Sequence, residues 1–288
     1  MPENRSIFDR KKKTFDVKLN SNLASLFLIA IVLFIALIIS IVWAFSYKNT
    51  DKIIVAQRPD SIMSSKVDSG EKTQSDGEQT LTGAVEYPLS QSAMRETAYF
   101  SDAVFVGDSI TTGIDLYSTI STAKVVASTG VNLETFLTTK SVRNSKGDKV
   151  TIPEAVKELG AKKIYLMLGT NGIDWMSVES MIKQYQTVID RLKKDNPDAI
   201  FYIQSIPPIT KDKEAKSEQM SVKKIKEFNA QLLKLAQKNK MYFVDVFSAL
   251  VSEDGYLSKD ISTDGVHFNS SVYTTWIEYV RCHTSRYE

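Results

Sequence analysis

The sequence predicts an α/β domain in which helices cover both faces of a parallel sheet. Five short apolar runs recur between residues 103 and 246, and segments with helical periodicity separate most of them. Apolar strands that alternate with one-sided helices are typical of parallel sheets buried on both faces. Small polar residues follow several of these runs directly. Because ligands of open parallel sheets bind at the carboxyl ends of the strands, a functional site is expected there.

The strands and helices are predicted from their apolar spacing and their end signals. The five strands are placed at residues 103–106, 124–127, 164–168, 199–203 and 241–246. Pro153 opens a short helix that ends at Gly160, and Ser177 caps a longer one. Further helices are predicted at residues 222–236 and 272–281.

Residues 23–46 are predicted to be a transmembrane anchor. The run from 23 to 45 has no charged residue, and about 20 apolar residues suffice to cross the hydrocarbon core. A cleaved signal peptide would have a shorter apolar core, and a buried core helix would have a polar face. The tail at 1–22 carries six basic and three acidic residues, which predicts a cytoplasmic N-terminus and an extracellular domain. The expected location is therefore the cell membrane, crossed once, in a Gram-positive-like bacterium.

Residues 47–93 are predicted to be a flexible extracytoplasmic linker, and residues 94–288 the folded domain. The linker is rich in Ser, Gly, Gln and charged residues, so it buries too little apolar surface to offset the entropy of ordering. Outside the N-terminal tail, basic and acidic residues nearly balance. This balance gives no support for nucleic-acid binding, and nothing in the sequence indicates an obligate protein partner.

Cysteine and histidine are too scarce for a disulfide or a structural zinc site. The chain has one cysteine, Cys282, and two histidines, His267 and His283. Structural zinc sites need about four such ligands, so no metal and no cofactor is predicted. Cys282 is expected to be a small core residue of the last helix, and His283 a solvated residue near its end.

Ser109 is the candidate nucleophile. It lies in Gly107-Asp108-Ser109-Ile110-Thr111, directly after the first strand. A serine where a strand hands over to a helix sits at the rim of the sheet, near a helix N-terminus that favours negative charge. The alternative is an ordinary turn or helix cap, which uses the same residues.

Asp264 and His267 are the candidate orienting carboxylate and general base. A serine hydroxyl is a weak nucleophile until a base accepts its proton, and a carboxylate holds that base in the correct tautomer. The segment Asp264-Gly265-Val266-His267 supplies both groups in one short turn. The alternative is a surface loop with an incidental histidine.

Gly130 and Asn171 are candidate oxyanion-hole donors, because each follows a predicted strand. Gly130 would offer a backbone N–H and Asn171 a side-chain amide to the developing negative charge. Taken singly, each has an ordinary explanation: a glycine with positive φ, or an asparagine in a turn.

These four segments together resemble the SGNH hydrolase superfamily, also called the GDSL esterase/lipase family. The resemblance covers residues 95–282 and lies in GDSIT at Ser109, STGVN at Gly130, GTNG at Asn171 and DGVH at His267. It implies a flavodoxin-like three-layer α/β/α fold with five parallel strands. It also implies Ser109 as nucleophile, His267 as base, Asp264 as its orienting residue, and Ser109, Gly130 and Asn171 as the oxyanion hole. The sequence departs from the family in Ile110 for Leu and in Gly172 for a frequent Asp.

Asp115 and Trp175 are tentative substrate-binding residues, together with Tyr117 and Asp174. They lie near the candidate loops in sequence, although core or rim packing is the simpler explanation for each. The Lys-rich stretch at 211–226 reads as a solvated helix face.

The predicted activity is hydrolysis of a carboxylic ester through an acyl-enzyme on Ser109. Family resemblance and topology favour acetyl groups on cell-envelope glycans, with a small ester as the simplest substrate. An O-acetyltransferase would use the same three residues to pass the acyl group to a sugar hydroxyl. A third possibility is a non-catalytic glycan-binding module.

Overall fold

The computed structural model describes residues 86–285. The predicted cytoplasmic tail, the membrane anchor and most of the linker lie outside these residues. Within the described part of the chain, no helix has the length and apolar character needed to cross a bilayer.

Five parallel strands form the central sheet, as predicted. They are β1 (Ala103–Gly107), β2 (Lys124–Ala127), β5 (Lys163–Met167), β6 (Ile200–Gln204) and β7 (Tyr242–Val244). Their order across the sheet is β2-β1-β5-β6-β7, with every pairing parallel. This is the flavodoxin-like order, in which β1 and β5 flank the point where the direction of winding reverses.

The main helices connect these strands and divide into two groups. They are α1 (Ser109–Leu116), α2 (Ile152–Leu159), α3 (Val178–Asp195), α5 (Val222–Lys238) and α7 (Ser270–Cys282). α2 contacts α3 and α3 contacts α5, whereas α1 contacts α7. Because crossovers between parallel strands are right-handed, the reversal after β2 places these groups on opposite faces of the sheet. The described residues therefore have the predicted three-layer α/β/α arrangement.

Helix ends follow the sequence signals closely. Thr151 and Glu154 form a reciprocal capping box at the start of α2, Pro153 occupies its first turn, and Gly160 ends it in a left-handed conformation. Ser177 accepts a hydrogen bond from the Ser180 N–H at the start of α3. The predicted starts of these two helices are confirmed.

Several short elements were not predicted. A hairpin of β3 (Val142–Arg143) and β4 (Lys149–Val150) precedes α2. The helices α4 (Lys211–Ala215) and α6 (Val246–Leu250) follow β6 and β7. The Lys-rich stretch is therefore two helices with a connection between them. Two 3-10 turns, at Thr97–Phe100 and Lys259–Ile261, complete the elements of residues 86–285.

Aromatic side chains form a row across one face of the sheet. Phe105, Tyr165, Tyr202 and Tyr242 occupy paired positions on β1, β5, β6 and β7. Consecutive ring centroids lie 4.9, 4.3 and 5.1 Å apart in stacked pairs. This spacing matches the distance of about 4.8 Å between neighbouring strands. Since a shift of one residue would turn each ring to the other face, the row helps to fix the strand register.

The chain before residue 94 packs against the domain. The Leu89 N–H donates to the Phe243 carbonyl at 2.9 Å, and the Ser92 N–H donates to the Cys282 carbonyl at 2.7 Å. Leu89 is buried. These contacts attach the last residues of the predicted linker to β7 and to the end of α7.

The prediction for His283 was wrong, because its side chain is buried. Its ring stacks on Tyr279 with centroids 3.7 Å apart, and Nδ1 lies 2.7 Å from the Tyr279 carbonyl oxygen. Tyr279 lies about one helical turn earlier, so the two side chains are neighbours. Cys282, the last residue of α7, is partly exposed.

Candidate active site

Ser109 is the first residue of α1 and follows β1 with one residue between them. Asp108 caps the helix, and its Oδ1 accepts a hydrogen bond from the Ile110 N–H at 3.0 Å. The backbone N–H groups of a first helical turn have no partner within the helix. The Ser109 N–H therefore points toward the carboxyl edge of the sheet, where it can meet negative charge.

Ser109, His267 and Asp264 form a continuous chain of hydrogen bonds. Ser109 Oγ lies 2.8 Å from His267 Nε2, and His267 Nδ1 lies 2.6 Å from Asp264 Oδ2. The predicted contact between the hydroxyl and the imidazole is thus present across 158 positions of sequence. In this arrangement Nε2 can accept the serine proton while Nδ1–H donates to the carboxylate.

Asp264 is held in its ionised form by its own turn. Partial burial alone would raise its pKa, but the His267 side chain and the N–H groups of His267 and Val266 lower the pKa to about 2. Asp264 Oδ1 accepts from these two N–H groups at 2.8 and 2.9 Å, leaving Oδ2 for the imidazole. The carboxylate stays negative at neutral pH and can stabilise an imidazolium beside it.

Gly265 allows the turn that carries His267 to lie against α4. Its φ is +84°, and a Cβ at this position would lie 2.5 Å from both Thr210 Oγ1 and Lys213 Cβ. The Gly265 carbonyl accepts a hydrogen bond from the Thr210 N–H at 3.0 Å. Any larger residue would push the turn away from α4, so this glycine helps to place the imidazole over Ser109.

Tyr273 connects the helix of Ser109 with the helix that follows His267. Its hydroxyl donates to the Ile110 carbonyl at 2.9 Å. A Cβ on Gly113 would come within 2.0 Å of the Tyr273 ring, so the two helices approach closely there. The nucleophile and the base are therefore positioned by direct packing of α1 on α7.

Gly130 and Asn171 flank Ser109, because they follow β2 and β5, the two neighbours of β1 in the sheet. Asn171 Nδ2 donates to the Val131 carbonyl at 2.8 Å, which links the loop after β5 to the loop after β2. A side-chain amide has two N–H donors, so one remains for a ligand. Gly130 is exposed with φ of +80°. Both predicted oxyanion donors therefore belong to one connected rim.

A family comparison agrees with this geometry. The family model for GDSL-like Lipase/Acylhydrolase proteins matches residues 105–274, more than half of the chain. The chain belongs to this GDSL family. Together with the hydrogen-bonded chain of Ser109, His267 and Asp264, the family match identifies this protein as a carboxylic-ester hydrolase.

Solved structures share the fold at low sequence identity. A protein from Streptococcus pneumonia, provisionally described as a platelet activating factor, has a TM-score of 0.51 and 22% identity, over 64% of this chain and 87% of its own. A provisionally assigned acylhydrolase from Bacteroides fragilis has a TM-score of 0.50 and 22% identity, over 62% of this chain and 84% of its own. No curated protein sequence is a significant match.

Asp108 is a feature of this GDSL hydrolase that the sequence interpretation missed. Its side chain is fully buried, and Oδ2 has no hydrogen-bond partner among the described residues. Burial raises the pKa of Asp108 to about 6, although the Ile110 N–H and a positive charge on His267 both lower it. A buried carboxyl with an unpaired oxygen tends to hold a proton rather than a charge. The residue before the nucleophile therefore titrates just below neutral pH.

We expect Asp108→Asn to stabilise the protein at pH 7.5 and to leave its stability unchanged near pH 4. The Asp108 carboxyl ordinarily titrates near 3.8 and in the fold near 6, so the folded state binds a proton that the unfolded state has lost. The free energy of unfolding therefore falls as pH rises through this window, by about 3 kcal/mol in total. Asparagine avoids this loss, and urea unfolding at the two pH values measures it. Asp198→Asn, an exposed substitution, is the control; an equal effect of Asp108→Asn at both pH values would contradict the prediction.

The tentative residues lie in different surroundings. Asp115 is exposed on α1, six residues and therefore about 9 Å along the helix axis from Ser109. The Tyr117 ring packs at a tilt of 41° against the Tyr273 ring, with centroids 5.1 Å apart. Trp175 lies in the loop of Asn171, and its Nε1–H donates to the Asn171 carbonyl at 2.9 Å.

Asp174 holds this loop against the connection between α4 and α5. Its Oδ1 accepts hydrogen bonds from Ser217 Oγ at 2.5 Å and from the Met220 N–H at 3.1 Å. Within residues 86–285, no group of three or more His, Cys, Asp or Glu side chains is placed to hold a metal ion.

Proposed function

We propose that this hydrolase is a membrane-anchored extracytoplasmic esterase that removes acetyl groups from cell-envelope glycans through an acyl-enzyme on Ser109. The observation that carries the substrate assignment is the exposure of the base and its orienting carboxylate above the buried Ser109. The side chains of His267 and Asp264 are 46% and 52% exposed. A base this open to solvent can reach a small acyl group displayed on a bulky polymer.

Acylation begins when Ser109 Oγ attacks the ester carbonyl carbon. His267 Nε2 accepts the serine proton, and Asp264 stabilises the imidazolium that forms. The carbonyl oxygen becomes negative and accepts hydrogen bonds from the Ser109 and Gly130 N–H groups and from Asn171 Nδ2. His267 then gives the proton to the sugar oxygen as its bond to the carbonyl carbon breaks. The acetyl group is left on Ser109.

Deacylation uses the same groups with water. His267 Nε2 takes a proton from a water molecule, whose oxygen attacks the acyl carbon. The tetrahedral intermediate collapses, the bond to Ser109 Oγ breaks, and the proton returns to that oxygen. Acetate leaves and the starting enzyme is regenerated.

The glycan and the location are supported by the open site and by the sequence together. A lipase for long acyl chains would need an extensive apolar surface next to the nucleophile. The predicted anchor at 23–46 and the linker would hold the domain outside the membrane, within reach of envelope polymers.

We expect the full chain to release acetate from O-acetylated peptidoglycan and to react covalently with a fluorophosphonate probe. Both reactions should be lost in Ser109→Ala, because no other residue would take its place as nucleophile. Ser248→Ala is a matched control, since Ser248 Oγ donates to a carboxylate, Asp245 Oδ2 at 2.5 Å, rather than to an imidazole. Probe labelling and free acetate are measured side by side.

The same assay distinguishes the other activities. Acetyl transferred to an added glycan, with little free acetate, would identify an O-acetyltransferase. A series of nitrophenyl esters that shows a preference for long chains would identify a lipase. An unlabelled Ser109 in folded protein would overturn the serine mechanism.

A further inference from the structure

Trp175 combines an exposed ring with a place beside the oxyanion hole. Five large apolar side chains of the described residues are substantially exposed: Met94, Leu116, Tyr117, Leu159 and Trp175. Of these, Trp175 alone lies in the loop that carries Asn171. Single exposed apolar residues are common on protein surfaces and need no explanation by themselves. The case for a functional role of Trp175 therefore depends on its surroundings.

The indole ring is fixed in place before any ligand binds. Its Nε1–H donates to the Asn171 carbonyl at 2.9 Å, while 49% of the residue stays exposed. Its own backbone N–H donates to the Gly172 carbonyl at 3.3 Å. The preceding residue, Asp174, is bonded to Ser217 and Met220. A ring held in this way loses little conformational entropy when a ligand covers it.

The chemistry of an exposed, fixed indole face fits a sugar ring. The face of an aromatic ring is electronegative and attracts weakly positive C–H groups. A pyranose presents such C–H groups on its flat faces, while its hydroxyls point outward and stay in water. A flat platform also admits a bulky polymer, in keeping with the exposed imidazole of His267. A long acyl chain, by contrast, gains most where apolar side chains surround it on several sides.

We infer that Trp175 is a specificity-determining residue whose exposed face stacks on the pyranose ring that carries the ester. This inference rests on the proposed glycan esterase activity and names the part of the site that recognises the sugar. The Nε1–H bond to the Asn171 carbonyl places the indole beside the residue whose side-chain amide is the oxyanion donor. The same loop then serves both the sugar and the oxyanion.

The test compares a sugar ester with an ester that has no sugar. For Trp175→Ala, we expect the KM for 6-O-acetylated chitotetraose to rise about tenfold, with little change in kcat. The kcat/KM for ethyl acetate should stay within about threefold of wild type, because this ester has no ring to stack on the indole. Trp175→Phe retains a flat face but loses the Nε1–H donor that fixes the ring, so we expect a KM between those of wild type and Trp175→Ala. Leu159→Ala truncates another exposed apolar residue, and it should change neither kcat nor KM for either substrate.

Each contrary result has a definite meaning. Equal KM values of wild type and Trp175→Ala for the acetylated chitotetraose would overturn the stacking inference and leave the proposed esterase function standing. Loss of activity on both substrates in Trp175→Phe would show that the hydrogen bond to Asn171, and not the ring face, is what matters. A loss confined to nitrophenyl octanoate would assign the ring to the acyl chain. Wild-type enzyme that is active on ethyl acetate but not on the oligosaccharide would remove the proposed function and this inference with it.

Discussion

Replacement of His267 by alanine should lower kcat for 4-nitrophenyl acetate by about 10⁴-fold or more. His267 Nε2 is 2.8 Å from Ser109 Oγ and Nδ1 is 2.6 Å from Asp264 Oδ2, so the substitution breaks the chain between hydroxyl and carboxylate. Without the base, the hydroxyl keeps its proton and attacks slowly. Steady-state rates at saturating ester measure the loss.

The chain provides a matched control in its second histidine. His283 is buried against Tyr279 and contacts its carbonyl oxygen. We expect His283→Gln to lower the melting temperature and to leave kcat within about threefold of wild type, as substitutions outside the reacting groups do. A similar loss of kcat in both variants, or retained activity in His267→Ala, would contradict the role given to His267.

Replacement of Asn171 by alanine should lower kcat by about 10²- to 10³-fold, the usual cost of losing one oxyanion donor. One N–H of Asn171 Nδ2 is already used by the Val131 carbonyl, and the other is free to meet the oxyanion. Because the interaction forms only in the transition state, KM should change much less than kcat.

A second variant separates catalysis from loop packing. Asn171→Asp keeps the shape of the side chain but replaces the donor with a negative carboxylate, so its kcat should fall at least as far. Melting temperatures of both variants show whether the link to Val131 matters for the fold. A normal kcat in Asn171→Asp would exclude an oxyanion role for this side chain.

The sheet could be predicted because its central strands, β1 and β5, are buried on both faces. The apolar runs at residues 103–106 and 164–168, which cover most of β1 and β5, are uninterrupted, and each stops at a glycine. The hairpin of β3 and β4 has two residues in each strand, which is too short to show any alternation. The helices α4 and α6 have five residues each, shorter than the two turns that helical periodicity needs.

Ser109, Gly130 and Asn171 could be predicted because each follows a strand, and parallel strands end at one edge of the sheet. Asp264 and His267 were predicted from their spacing within one turn and from the base that a serine nucleophile needs.

The supporting groups could not be predicted, because they depend on tertiary packing. Nothing in the sequence shows that the Asp108 carboxyl would be buried with an unpaired oxygen. The close packing of Gly265 against Thr210 cannot be predicted from the sequence either. For the burial of His283, directly after the last helix, the sequence offers one signal: the aromatic residue Tyr279 lies one helical turn earlier.

The contact between Leu89 and β7 bears on where this domain can be cut. β7 is the last strand of the sheet, and the Leu89 N–H occupies the Phe243 carbonyl on it. Open strand edges readily pair with strands of other molecules, and proteins normally cover or interrupt them. A fragment that starts at the predicted boundary of 94 lacks Leu89, so the Phe243 carbonyl loses its hydrogen-bond donor. We expect such a fragment to self-associate through the uncovered edge of β7. A fragment that starts at or before residue 86 would keep it covered.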